Sequence, residues 1–234
     1  MSRAAVLGEV AARISALETA HTLRVAINGI DAAGKTTLAD ELAPLIEAQG
    51  RPVIRASIDG FHNPRVVRYK RGPLSSEGYY HDSFNLPVLI GALLAPLGPG
   101  GDGLYRSAAF DYRVDAPEHV PPQSAPPGAV LLFDGIFLAR PELMPYWDLF
   151  LFVQISFKTC LARAWQRNSE QSISEETLRQ RYQTRYIPAQ RHYLATCRPT
   201  ERADIILYND EVDRLRVAFR ESQASSDQPP APDP

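Results

Sequence analysis

The chain has 234 residues, 44% of them hydrophobic and 22% charged, with a formal net charge of -2 at pH 7. That length suits one domain with a sizeable core, and the composition excludes a fibrous or wholly disordered chain. The near balance of charge argues against a nucleic-acid or anionic-membrane surface, which needs clustered excess Lys and Arg.

No apolar stretch approaches the roughly eighteen residues of a membrane span, and the start MSRAAVLGEVAAR carries charges where a signal peptide needs an apolar run. A soluble, cytoplasmic protein is expected. Cys160 and Cys197 have no Cys or His nearby at metal-ligand spacing, so they read as packing thiols rather than a disulfide or zinc site.

In chain order, Leu7, Val10, Ile14 and Leu17 recur at helical steps, which predicts a first amphipathic helix. LRVAIN at 23–28 is a short apolar run ended by Gly29 and reads as a buried strand. Lys35 to about Gln49 reads as a helix with Leu38, Leu42, Leu45 and Ile46 inward, Pro44 as a kink point and Gly50 beyond its end. PVIRASID at 52–59 is a second strand ending in an acid. The polar, aromatic stretch from Gly60 to Asn85 lacks periodicity and predicts a functional loop or lid.

Residues 86–97 predict a short apolar helix, 99–103 a breaker, and 104–114 a small β-hairpin. AVLLFDG at 129–135 and DLFLFVQI at 148–155 read as the third and fourth strands, and helices follow from about Lys158 and Ser174. ADIILY at 203–208 is a fifth strand, with a last helix expected to about Arg220. Residues 221–234 are rich in Pro, Ser and Asp and are expected to be a disordered tail to a domain spanning 1–220. Apolar strands alternating with helices predict an α/β fold, a doubly wound parallel sheet of about five strands covered on both faces. Ligands of such sheets bind beyond the carboxyl ends of the strands, where Asp59 and Asp134 fall.

GIDAAGKT matches G-x-x-x-x-G-K-[ST] between a predicted strand and a predicted helix, the context that gives this motif its meaning. It predicts a phosphate loop of a P-loop protein, with Gly29, Ile30, Asp31, Ala32, Ala33, Gly34, Lys35, Thr36 and the following Thr37 around a nucleotide. Glycines let backbone N–H groups close on phosphate oxygens, and the next helix presents its positive end to them. Lys35, one of three lysines in the chain, is placed to meet the β- and γ-phosphates of ATP, and the Thr36 hydroxyl to hold Mg²⁺. Two strand-end acids suit the two jobs that phosphoryl transfer gives acids, holding the metal and taking the acceptor proton. The sequence does not divide these roles between Asp59 and Asp134.

From residue 23 to 208 the chain resembles the uridine kinase and phosphoribulokinase group. The phosphate loop, SIDGFH at 57–62, HDSFN at 81–85, LLFDGI at 131–136 and the 141–168 segment follow that family's order, as does YIPAQRHYLATCRPTERADIIL. The resemblance implies Asp59 as general base, Asp134 beside the metal, and Arg163 and Arg167 on a lid over the nucleotide. It implies a nucleoside acceptor, and the aromatic Tyr79, Tyr80, Phe110 and Tyr112 are candidates to stack a flat ring, with His62 and His81 as candidates to line the acceptor pocket. The pattern departs at Tyr79 and Tyr80, where uridine kinases carry an acid. It departs again at Phe110 and Asp115, where they carry the nucleoside-contacting Tyr and His.

The function expected is transfer of the ATP γ-phosphoryl group to a small alcohol, a nucleoside first. Pantothenate, a sugar or another vitamin-like alcohol is the alternative acceptor, and a non-catalytic nucleotide-binding regulator the alternative class. No Lys follows an Asn, so the guanine-selective Asn-Lys-x-Asp box of a GTP switch is absent. A small-molecule acceptor is the expected partner, and assembly as a homo-oligomer is left open.

Lys35→Ala is expected to remove most phosphoryl transfer, because the motif puts its ammonium where charge grows toward the leaving group. Turnover near that of the parent chain would contradict the phosphate-loop reading.

Overall fold

The computed structural model describes residues 1–168 and 174–220. Its main sheet contains β1 (Leu23–Gly29), β2 (Val53–Ser57), β3 (Val130–Gly135), β4 (Leu149–Gln154), β5 (Ile205–Tyr208) and β6 (Arg216–Phe219). The spatial order is β6-β5-β4-β1-β3-β2, parallel throughout except for β6, which pairs antiparallel with β5. Around it lie α1 (Arg3–Ser15), α2 (Lys35–Glu47), α3 (Ser76–Asp82), α4 (Phe157–Asn168), α5 (Glu175–Arg181) and α6 (Ile187–Cys197).

β1 is buried at every position, as a central parallel strand covered on both faces must be. Alternation along the strands splits the core in two. Val25, Ile27, Leu132 and Leu151 face α1 and α2 and pack with Val10, Ile14, Leu38 and Leu42. Ala26, Leu131, Phe133 and Phe150 face the other side and pack with Phe61, Phe137, Leu89 and Tyr193. The register sets Ser57 beside Asp134 and Asp134 beside Ile27, so three strand ends converge at one edge. No helix among the described residues is long and apolar enough to cross a membrane.

Three expectations change. The last helix is instead β6, because Arg216–Phe219 alternates exposed and half-buried positions, a period of two that suits an edge strand. The hairpin at 104–114 is two separate pairings. Leu104–Tyr105 joins Gln123–Ser124, while Phe110–Asp111 joins Ala116–Pro117 around a turn in which Asp115 has a φ of 56°. The stretch 60–85 is less irregular than its sequence suggests, with a helical turn at Arg65–Arg68 and α3, which Ser75 caps through Oγ at 3.0 Å from Gly78 N. Pro44 lies inside α2, which continues to Glu47. The expected tail at 221–234 lies outside the described residues.

One buried polar knot ties α6 to the sheet. Tyr193 Oη accepts from Asn28 Nδ2 at 2.5 Å and from Ala139 N at 2.9 Å, while Asn28 Oδ1 accepts from Leu138 N at 3.3 Å. Tyr193→Phe strands two buried donors, each costing about 1–3 kcal/mol. A melting-temperature loss of roughly 5–10 °C is expected for a chain of this size. A loss below about 2 °C would show that the knot contributes little.

Candidate active site

The loop Gly29–Thr36 joins β1 to α2 at the converging strand ends. A side chain at Gly29 would meet Val153 O at 2.6 Å, and one at Gly34, where φ is 86°, would meet Asn209 Nδ2 at 2.9 Å. Ala32 also takes a positive φ, 56°. Neighbouring elements hold this shape. Asn209 Nδ2 donates to Ala33 O at 2.8 Å, and Gln190 Oε1 accepts from Asp31 N at 2.7 Å while its Nε2 donates to Asp31 Oδ2 at 3.0 Å. Thr37 follows in the first turn of α2.

Lys35 Nζ donates to Ile30 O at 2.9 Å, so the ammonium lies folded against its own loop. Burial lowers the Lys35 pKa and raises that of Asp31, each partly offset by the other's charge. Thr36 Oγ1 donates to Asp134 Oδ2 at 2.7 Å. Asp134 is 3% exposed and also receives Ser57 Oγ at 3.3 Å and Arg55 Nη2 at 3.3 Å. Thr36 Oγ1, Ser57 Oγ and the Asp134 carboxylate are hard oxygen groups at a strand edge, a set that fits a divalent ion bound together with nucleotide oxygens.

Asp59 sits in the short 3₁₀ turn after β2 and is exposed. His62 Nδ1 lies 3.0 Å from Asp59 O, and the imidazole packs between Phe84 and Tyr112, with ring centroids at 4.6 and 4.7 Å. Burial holds its pKa below the ordinary histidine value. Asp59 borders two adjoining cavities. One, of about 310 Å³, is also lined by Asp31, His62, Tyr79, Tyr112 and Arg167. The other, of about 420 Å³, is also lined by Thr36, Ser57, Phe110 and Tyr112.

The predicted wall residues therefore divide. Tyr79 reaches the cavity, but its hydroxyl is engaged with Asp31 Oδ1 at 3.1 Å. Tyr80 does not line it: the side chain is 8% exposed, packs on Phe137 and Tyr193, and places Oη 3.4 Å from Cys197 Sγ. His81 packs edge-on against Tyr80, away from both cavities. Of the two α4 arginines, Arg167 lines the 310 Å³ cavity with Asp31. Arg163 instead donates to Asn209 O at 2.6 Å and Asp210 O at 3.1 Å, bracing the loop that supports the cradle.

Four residues escaped the sequence reading. Gln190 and Asn209 brace the phosphate loop, and Arg68 and Arg185 line the cavity from buried positions. Arg181 and Arg185 stand four apart in a helical stretch, and that spacing was a usable signal; nothing marked Arg68.

No protein-family model and no curated protein sequence matches the chain. Solved structures do. A protein from Bacillus stearothermophilus described as a possible uridine kinase superposes with a TM-score of 0.68 at 23% identity, over 86% of this chain and 96% of that one. The chain has the fold of the P-loop kinases. A Silicibacter sp. TM1040 protein described as a putative fructose transport system kinase gives a TM-score of 0.67 at 23% identity, over 83% and 95%. D-glycerate 3-kinase from Cryptococcus neoformans var. grubii gives 0.52 at 16% identity, over 76% and 84%. The expected doubly wound sheet is thus the fold that these proteins share, with one more strand than the sequence suggested.

Proposed function

We propose that the chain is an ATP-dependent kinase of a small alcohol. The observation that carries this reading is the shared wall. Asp31 of the phosphate loop, Asp59 after β2 and Arg167 of α4 line one cavity, so a donor on the loop and an acceptor against Asp59 would meet there.

The acceptor hydroxyl donates to the Asp59 carboxylate, which orients it and takes its proton as the new oxygen–phosphorus bond forms. The bond from the γ-phosphorus to the bridging oxygen breaks, and ADP departs with that electron pair. Lys35 leaves Ile30 O to pair with the phosphate oxygens, and Arg167 faces the same charge from the lid side. Thr36 and Asp134 would hold Mg²⁺, which when bound neutralises charge on the β- and γ-phosphate oxygens. A non-catalytic regulator would need the loop but not an exposed carboxylate on the acceptor side.

The sequence resemblance implies a nucleoside acceptor, and the neighbour described as a possible uridine kinase supports it. The fructose transport system kinase and the D-glycerate 3-kinase share the fold, so the fold does not choose among these acceptors.

Asp59→Asn keeps the shape but cannot accept a proton. Its turnover is expected to fall by roughly 10²–10⁴-fold, with ATP affinity changed by less than about tenfold. Asp134→Asn is expected instead to raise the Mg²⁺ concentration needed for half-maximal rate. Full turnover in Asp59→Asn removes the base assignment, and equal Mg²⁺ sensitivity in both variants means that the two acids share the metal.

A further inference from the structure

The cavity beside Asp59 has a second wall whose charge the scheme above does not use. It is built from the segment Arg65–Tyr69 and from the helical run at 181–186. Arg68 is 8% exposed and Arg185 is 4% exposed, and both line the cavity. Each guanidinium also lies over the Tyr69 ring, at 5.6 and 4.9 Å from its centroid.

Two buried cations sharing one ring repel each other, and burial strengthens that repulsion unless anions compensate. Little compensation is present. Arg68 Nη2 pairs with Asp115 Oδ1 at 3.1 Å, the one side-chain hydrogen bond of this guanidinium among the described residues, where its buried Nε has no hydrogen-bond partner. Arg185 donates only to neutral carbonyls, Pro73 O at 3.2 Å and Ser75 O at 3.1 Å, and forms no ion pair among the described residues. The acids of the same cavity do not serve. Asp31 is bound by Tyr79 and Gln190, and neither it nor Asp59 pairs with Arg68 or Arg185.

The nucleotide does not account for this wall either. Its phosphates belong to the loop, where Arg167 is the lid cation whose charge acts on Asp31. Arg68 instead belongs to the acceptor side: it follows the β2 turn, and its charge acts on His62, which lies against Asp59 O. A guanidinium is a planar fork matched to carboxylate and phosphate oxygens.

We propose that the acceptor is an anion, a small alcohol that also carries a carboxylate or a phosphate monoester, held by Arg68 and Arg185 while its hydroxyl meets Asp59. This rests on the kinase reading and narrows its substrate class. A neutral nucleoside or sugar would leave Arg185 with no anion among the described residues and Arg68 with Asp115 alone. The charged group stays intact, because only the hydroxyl receives the phosphoryl group.

The test is a set of matched pairs, D-glycerate with glycerol, ribose 5-phosphate with ribose, and uridine 5′-monophosphate with uridine, read by ADP release and by detection of the phosphorylated product. In at least one pair the charged member is expected to exceed its neutral partner by about 100-fold or more in kcat/KM. Which pair responds separates carboxylate from phosphate. In Arg68→Met that ratio is expected to fall by roughly 10–100-fold, chiefly through KM for the charged acceptor, with Arg68→Lys keeping part of it. Arg185→Met gives a second reading if Arg68→Met does not melt like the parent chain. Neutral members that match or exceed their charged partners overturn the proposal while leaving the kinase standing. Absence of phosphoryl transfer to every acceptor overturns both.

Discussion

A phosphate loop must hold its backbone ready for an anion, yet its own residues resist the shape. Here Ala32 sits at a φ of 56°, a region that costs a residue with a Cβ about 1–2 kcal/mol. Gly29 and Gly34 leave no room for any side chain. The rest of the site depends on what supplies that restraint. Gln190 reaches from α6, Asn209 from the end of β5, and Arg163 ties Asn209 from α4. The cradle is therefore held from three elements that are remote in sequence, and α6 is itself fixed to β1 through Tyr193 and Asn28.

The same bracing links the phosphate loop to the cavity wall beside Asp59. Asp31 is bound on one side by Gln190 and on the other by the Tyr79 hydroxyl. Tyr79 in turn packs against Tyr186 and lies beneath the Arg185 guanidinium, at 5.3 Å from its centroid. A short chain of packed groups thus runs from the phosphate loop to the cationic wall.

Local patterns were legible wherever one period dominated. The buried run at 23–28, the strand that carries Asp134 and the glycine loop between strand and helix stand where the sequence placed them, while the strand expected at 52–59 stops at Ser57 and leaves Asp59 in the 3₁₀ turn after it. The last element was misread because Val217 and Phe219 alternate over too few residues to outweigh a helical guess. Site residues fixed by backbone position, such as Lys35 and Thr36, could be named from the motif. Residues fixed by long-range packing could not. Tyr80 carries the same side chain as Tyr79 one position away, yet faces Phe137 and Cys197 instead of the cavity. Arg68 becomes notable only when its burial, and an Nε with no hydrogen-bond partner among the described residues, are known.

The central claim is that the loop delivers a γ-phosphoryl group to a hydroxyl seated against Asp59. Following the label of γ-³²P-ATP through a single turnover, with the enzyme in excess and the matched acceptors present, tests it most directly. The account predicts label on the acceptor in one step with ADP, and little inorganic phosphate. Label appearing only as inorganic phosphate, or ATP bound without turnover, would contradict it.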